Sequence, residues 1–328
     1  MEEIAKALVA PGKGIWAADA SPKTIIKRFK DVGIDADETT NTRFRKVLFD
    51  TEGLENYISG VILYEETLKN EILRNILVSK SILRGVKVDK GAIDLENFPG
   101  EKISEGLDGL RERLTEYKSL GAQFTKWRAV ITIGKDMPSD VCIGLNVESL
   151  ARFTALSQEI GLVPIVEPEV LMDGKHDIVR SEEVTKKTLK TLFGELKEHR
   201  VNLHGMLLKP NFVHHGKDCP KKVSDEEIAQ KTLEVLKATV PNEVPGIVFL
   251  SGGDSSIEAT KHVNRMNEIG GVPWQIAFSF ERALEGPAME VWQCKDENTK
   301  KAQDELLKRA KMNSLARTGG YNEEMENE

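Results

Sequence analysis

Short apolar runs and amphipathic stretches alternate along the whole of this chain, and that rhythm restricts its fold more than any other feature. Runs rich in Val, Ile, Leu and Phe, bounded by Gly or Pro, fall at Gly14–Ala18, Gly60–Leu63, Arg84–Val88, Gln123–Ala129, Leu162–Val166, Met206–Leu208, Gly246–Leu250 and Gln275–Phe278. Between them lie stretches of helical periodicity such as Glu105–Leu120, Val147–Ile160, Glu182–His199, Asp225–Thr239 and Ser255–Glu268. Strands that each feed a helix pair in parallel, and eight such units in 328 residues favour a closed (β/α)8 TIM barrel over an open sheet. With 40% hydrophobic residues and no evident linker, residues 1–328 read as one domain, ending in a short flexible acidic tail, 319–328.

In such a barrel the chemistry gathers at the carboxyl ends of the strands. The residues expected there are Asp19, Glu65, Lys87 with Asp89, Lys126 with Arg128, Glu167 with Glu169, Lys209, Ser251-Gly252-Gly253, and Ser279 with Arg282. Residues two apart share a face of a strand, so Lys126 and Arg128 point together, as do Glu167 and Glu169 if the strand continues past Pro168. Lys209 closes the apolar run Gly205–Leu208 and is followed by Pro210. A lysine so placed loses hydration, which favours the free amine that attacks carbonyls; taken alone, though, it reads foremost as a strand-end lysine reaching for solvent, and only its neighbours change that.

The formal net charge is −7, from 46 Lys plus Arg against 53 Asp plus Glu, which argues against a general polyanion binder. The cations Lys87, Lys126, Arg128, Lys209 and Arg282 are instead concentrated at the expected mouth, which points to a small, strongly anionic substrate rather than nucleic acid. Ser251-Gly252-Gly253 forms a glycine-rich turn between strand and helix, where barrels bind phosphate on backbone amides. Cys142, Cys219 and Cys294 have no metal-ligand spacing and read as reduced thiols. The adjacent His214-His215 reads as a loop pair rather than a chelate, so no metal and no cofactor is expected. Met1–Ala10 lacks the pattern of a secretory signal and no apolar run spans a bilayer, so a cytoplasmic protein without membrane insertion is expected. Trp16 and Trp127, within strands, read as packing between barrel and helices.

Several motifs resemble the class I fructose-1,6-bisphosphate aldolases of animals and plants. They are Gly85-Val86-Lys87-Val88-Asp89-Lys90-Gly91, Phe124-Thr125-Lys126-Trp127-Arg128, Val163-Pro164-Ile165-Val166-Glu167-Pro168-Glu169, Leu207-Leu208-Lys209-Pro210-Asn211 and Phe249-Leu250-Ser251-Gly252-Gly253. Gly14 to Asp19, Gly60 to Leu63 and Gln303 to Ala316 extend the likeness over nearly the whole chain.

The resemblance implies a glycolytic lyase that cleaves fructose 1,6-bisphosphate through a Schiff base on Lys209. It implies Glu167 as the acid/base of carbinolamine dehydration, with Glu169 sharing its environment and raising one carboxyl pKa, and Lys126 as a neighbouring cation. Asp19 and Glu167 compete for the C4 hydroxyl proton. Ser251, Gly252, Gly253, Ser279, Arg282 and Arg28 are the implied C1-phosphate contacts, Lys87 and Arg128 lie toward the C6 phosphate, and Ser21 and Thr24 supply hydroxyls. A homotetramer is the family's usual assembly. Departures are Glu281 where the family has glycine, Ala20 where it commonly has glutamate, and Tyr321, which precedes the position of the family's terminal tyrosine; slower enamine protonation or another donor is expected. A transaldolase-like enzyme or a catalytically silent scaffold is the competing reading.

Overall fold

The computed structural model describes residues 1–37 and 39–327. Its strands are β1 (Gly14–Ala18), β2 (Ile58–Leu63), β3 (Leu83–Lys87), β4 (Gly91–Asp94), β5 (Lys102–Glu105), β6 (Phe124–Ile131), β7 (Val163–Val170), β8 (Leu207–Leu208), β9 (Gly246–Phe249) and β10 (Gln275–Phe280). Eight of them close an all-parallel barrel in the order β1-β2-β3-β6-β7-β8-β9-β10, with β10 returning to β1. This is the (β/α)8 architecture that the alternating pattern predicts.

Boundaries differ from the sequence reading for identifiable reasons. β7 runs through Pro168 to Val170, because β8 pairs only with Ile165 and Val166 and leaves that flank of β7 open further on. The helix expected from Glu105 starts at Leu110, since β4 and β5 form an antiparallel hairpin inserted after β3. Two other helices begin earlier than expected, at Asp140 and Ile178, where the Ser139 and Asp177 side chains accept from the amides of Cys142 and Arg180.

Alternate strand residues point into the barrel. The lower interior is apolar, built from Ile15, Ala17, Ile62, Phe124, Val163, Ile165, Leu207, Val248 and Ala277. The N-terminal helix Glu2–Leu8 closes that end by adding Ala5, Leu8 and Val9 to the same cluster. Gly85 makes room for Phe124, since a Cβ there would stand 2.0 Å from the ring. Gly246 does the same for Val9, at 2.6 Å.

Outward residues fasten the helices. Thr125 Oγ1 and Ser157 Oγ lie 2.9 Å apart, and the rings of Trp127 and Phe153 are 5.7 Å apart. Trp16 Nε1 donates to Glu285 Oε2 at 2.7 Å, and the same oxygen accepts from Arg45 Nη1 at 2.5 Å. Both tryptophans therefore fill the space between barrel and helices.

The acidic end of the chain does not run free within the described residues. Tyr321 is buried, its hydroxyl donates to Glu326 Oε1 at 2.8 Å, and Arg309 Nη1 contacts Glu326 Oε2 at 2.6 Å. The buried Arg309, on the preceding helix, supplies the anchor that acidic composition alone conceals.

Candidate active site

Above the apolar floor the inward positions turn ionic. The change occurs along single strands: β6 goes from Phe124 to Lys126 and Arg128, and β7 from Ile165 to Glu167 and Glu169. Proline 210 ends the shortest strand, so Lys209 stands just above Leu207 and is held by its amide to Val166 O at 2.8 Å. These charges line one cavity of about 440 Å³ at the carboxyl ends of the strands.

Lys126 is the hub of the buried charges. Its ammonium lies 2.9 Å from Asp19 Oδ2 and 2.7 Å from Glu167 Oε2. On the other side of Glu167, Lys209 Nζ lies 3.4 Å from Oε1. All four side chains are at most about 5% exposed, so each depends on the others for its charge. Burial pushes the Asp19 carboxyl up, but Lys126, Lys209 and Lys87 outweigh it and hold it at about 2. Burial likewise opposes the charged Lys126, and Asp19, Glu167 and Asp89 raise it above the ordinary lysine range.

Glu167 departs from the expectation of a raised pKa. Burial pushes it up, but Lys126, Lys209 and Arg128 bring it below its ordinary value. Glu169 has a different partner, since Arg128 Nε grips its carboxylate. Shared strand face is thus not shared environment.

At one rim Lys87 Nζ pairs with Asp89 Oδ1 at 2.7 Å, while Asp89 Oδ2 accepts from the amide of Arg128 at 3.1 Å. At the opposite rim stand Arg28, Ser251, Gly252, Ser279 and Arg282. The buried Ser279 Oγ has no hydrogen-bond partner among the described residues, so its donor is free for a ligand. Gly252 and Gly253 adopt φ of 63° and 119°, which L side chains rarely hold, and a Cβ on Gly253 would lie 2.8 Å from Lys217 Cε. Ser21 and Thr24 also line the cavity, and Ser21 caps the helix Pro22–Asp31.

The singled-out side chains therefore reach the cavity wall with one exception, Glu65, which opens the helix Glu65–Lys69 and pairs with Lys69 at 2.6 Å; Gly253 also lies outside the lining. Lys217, Asp173, Tyr64 and Lys90 line the wall as well and escape the strand-end reading. Lys217 comes from a loop eight residues beyond Lys209, too far from the strand for parity to place it. Tyr321 lies elsewhere, in a surface pocket with Asp225 and Lys261. Next to His215, His214 turns its Nε2 to Asp254 at 3.7 Å, and His262 Nε2 faces the same carboxylate at 3.6 Å.

A parallel barrel whose mouth gathers a buried lysine, paired carboxylates and cations at both rims defines an enzyme for a small anionic substrate. A family model described as "Fructose-bisphosphate aldolase class-I" matches residues 1–328. The chain is 50% identical over 328 residues to a probable fructose-bisphosphate aldolase class 1 of Xanthomonas campestris, covering 98% of each. It is 46% identical to the fructose-bisphosphate aldolase of Dictyostelium discoideum, covering 97% of this chain and 91% of that one. The fructose-bisphosphate aldolase structure from Plasmodium falciparum superposes with a TM-score of 0.96 at 44% identity, covering 98% of this chain and 94% of the other. The chain belongs to the class I fructose-bisphosphate aldolase family. Its activity is that of a glycolytic lyase: reversible cleavage of fructose 1,6-bisphosphate to dihydroxyacetone phosphate and glyceraldehyde 3-phosphate.

Proposed function

We propose that the cleavage runs through a Schiff base on Lys209. The observation that carries this reading is the contact between Lys209 Nζ and Glu167 Oε1 at 3.4 Å, in a pocket where Lys126 holds Glu167 ionised. Glu167 takes a proton from the Lys209 ammonium, and the free amine adds to the C2 ketone of the substrate. The protonated Glu167 then protonates the carbinolamine hydroxyl, which leaves as water, and an iminium remains. A proton is taken from the C4 hydroxyl by Asp19 or by Glu167, the C3–C4 bond breaks, and its electron pair moves to C3 and the iminium nitrogen. Glyceraldehyde 3-phosphate departs; C3 of the enamine regains a proton, and water releases dihydroxyacetone phosphate from Lys209.

Throughout, Lys126 stays charged and stabilises whichever carboxylates are ionised, and Glu169 positions Arg128. Arg28, Ser251, Gly252, Gly253, Ser279 and Arg282 hold the C1 phosphate. Lys87 and Arg128 take the C6 phosphate, and Ser21 and Thr24 bind sugar hydroxyls. A homotetramer working in the cytoplasm is the matching assembly and location; no described helix is long and apolar enough to cross a membrane.

Borohydride trapping with dihydroxyacetone phosphate, followed by peptide mass spectrometry, tests the reading. A sugar-phosphate adduct on the Lys209 peptide that disappears in Lys209→Met is expected. Cleavage without an adduct, or an adduct on Lys126 or Lys87, would overturn it.

A further inference from the structure

Behind the phosphate turn, on the side away from the cavity, His214, Asp254 and His262 each offer one ligand-capable atom, all within 4.8 Å of one another. They come from three separate elements: the loop after β8, the turn after β9, and the helix Ser256–Ile269. The two Nε2 atoms stand 3.7 and 3.6 Å from opposite oxygens of Asp254, too far for hydrogen bonds. The edge of a tetrahedral shell around a first-row divalent ion is about 3.4 Å, so a small inward movement of each group makes such a shell.

Two further observations single this cluster out. Asp254 is only 5% exposed at its side chain, yet its carboxylate receives no hydrogen bond from a described residue. A buried carboxylate in that condition costs several kcal/mol of lost hydration. Second, one imidazole is oriented from behind. His214 Nδ1 lies 2.6 Å from the carbonyl of His215, which turns its Nε2 toward Asp254, while the buried His262 Nδ1 has no hydrogen-bond partner among the described residues and Asp225 Oδ1 stands 3.7 Å from it. Backing of this kind fixes the tautomer that a metal ligand needs.

We propose that His214 Nε2, His262 Nε2 and Asp254 bind a divalent transition ion of the zinc class, apart from the aldol chemistry. Two imidazoles select such an ion over magnesium or calcium. A small cavity lined by Ser181, His214, Gly252 and Asp254 adjoins the cluster. Asp254 also ends the turn that Ser251 begins, its amide donating to Ser251 O at 2.9 Å, so the ion ties that turn to two neighbouring elements.

The test is a Co²⁺ titration of untagged protein, stripped with EDTA and freed of it, read by visible absorption. One equivalent per chain is expected, with the bands of a four- or five-coordinate ion, displaced by Zn²⁺. In His214→Gln and His262→Gln the affinity falls by roughly tenfold or more. If the buried His262→Gln does not fold, the partly exposed His214→Gln decides. Folded wild-type protein without stoichiometric absorption, as a buried water in place of the ion would give, overturns the proposal. So does unchanged binding in the folded histidine variants.

Discussion

Arg28 and Glu281 form an ion pair across one rim of the cavity, joining the helix Pro22–Asp31 to the residue that precedes the helix Arg282–Trp292. Glu281 replaces the glycine usual in the family, and its charge lands on one of the arginines proposed to hold the C1 phosphate. In the proposed phosphate site the Glu281 carboxylate would therefore compete with the phosphate for Arg28.

Replacing Glu281 removes that competitor. A partly exposed pair is worth about 1 kcal/mol, so Glu281→Gln should lower KM for fructose 1,6-bisphosphate about fivefold with kcat little changed. Steady-state kinetics with the bisphosphate and with fructose 1-phosphate decide the matter, since both carry the C1 phosphate and should gain alike. An unchanged or raised KM would show that Glu281 supports Arg28 instead.

Lys126 separates two carboxylates that face each other across the buried site. Lys126→Met should cost a factor of roughly 10² to 10³ in kcat, the usual loss for one stabilising donor. Removing the cation also raises the pKa of Glu167 and Asp19, so the acid limb of the kcat/KM profile should move to higher pH. A pure structural loss would lower activity without moving that limb.

Asp19 links the site to acid stability. Its pKa falls from 3.8 to about 2 on folding, so its contribution is full above 3.8 and is lost as pH drops toward 2. Urea midpoints measured through that window should fall more steeply in the wild type than in Asp19→Asn. Parallel slopes would mean that the depressed pKa belongs to the unfolded chain as well.

Away from the cavity, Arg45 and Glu285 pair at 2.5 Å with both side chains about 1% exposed. Either Arg45→Met or Glu285→Gln leaves a buried group uncompensated and should cost roughly 3–5 kcal/mol in denaturant unfolding. The double substitution should cost less than the sum, because it removes both charges together. Additive losses would indicate that the ionic contact is not what holds Glu285.

The barrel is legible in the chain because β/α alternation needs only local pattern, and strand parity carries that reading to Lys126, Arg128, Glu167 and Glu169. What parity cannot supply is pairing across the mouth. Nothing near Glu169 in sequence announces that Arg128 will grip it, so the two glutamates read as sharing one environment although their partners differ. His262 lies 48 residues beyond His214 along the chain and on a helix, where it reads as one more core position. Lys217 and the docked Tyr321 belong to segments whose course is set by tertiary contacts with Asp173 and Arg309–Glu326, not by periodicity.

The N-terminal helix that fills the barrel's floor with Ala5, Leu8 and Val9 turns the interior into a blind alley. Whatever enters by the rim must leave by it. On the Schiff-base reading proposed above, the three-carbon fragment held on Lys209 would leave after the aldehyde fragment, and in the reverse direction would bind before it. One short helix on the opposite face thus leaves the rim as the way both in and out.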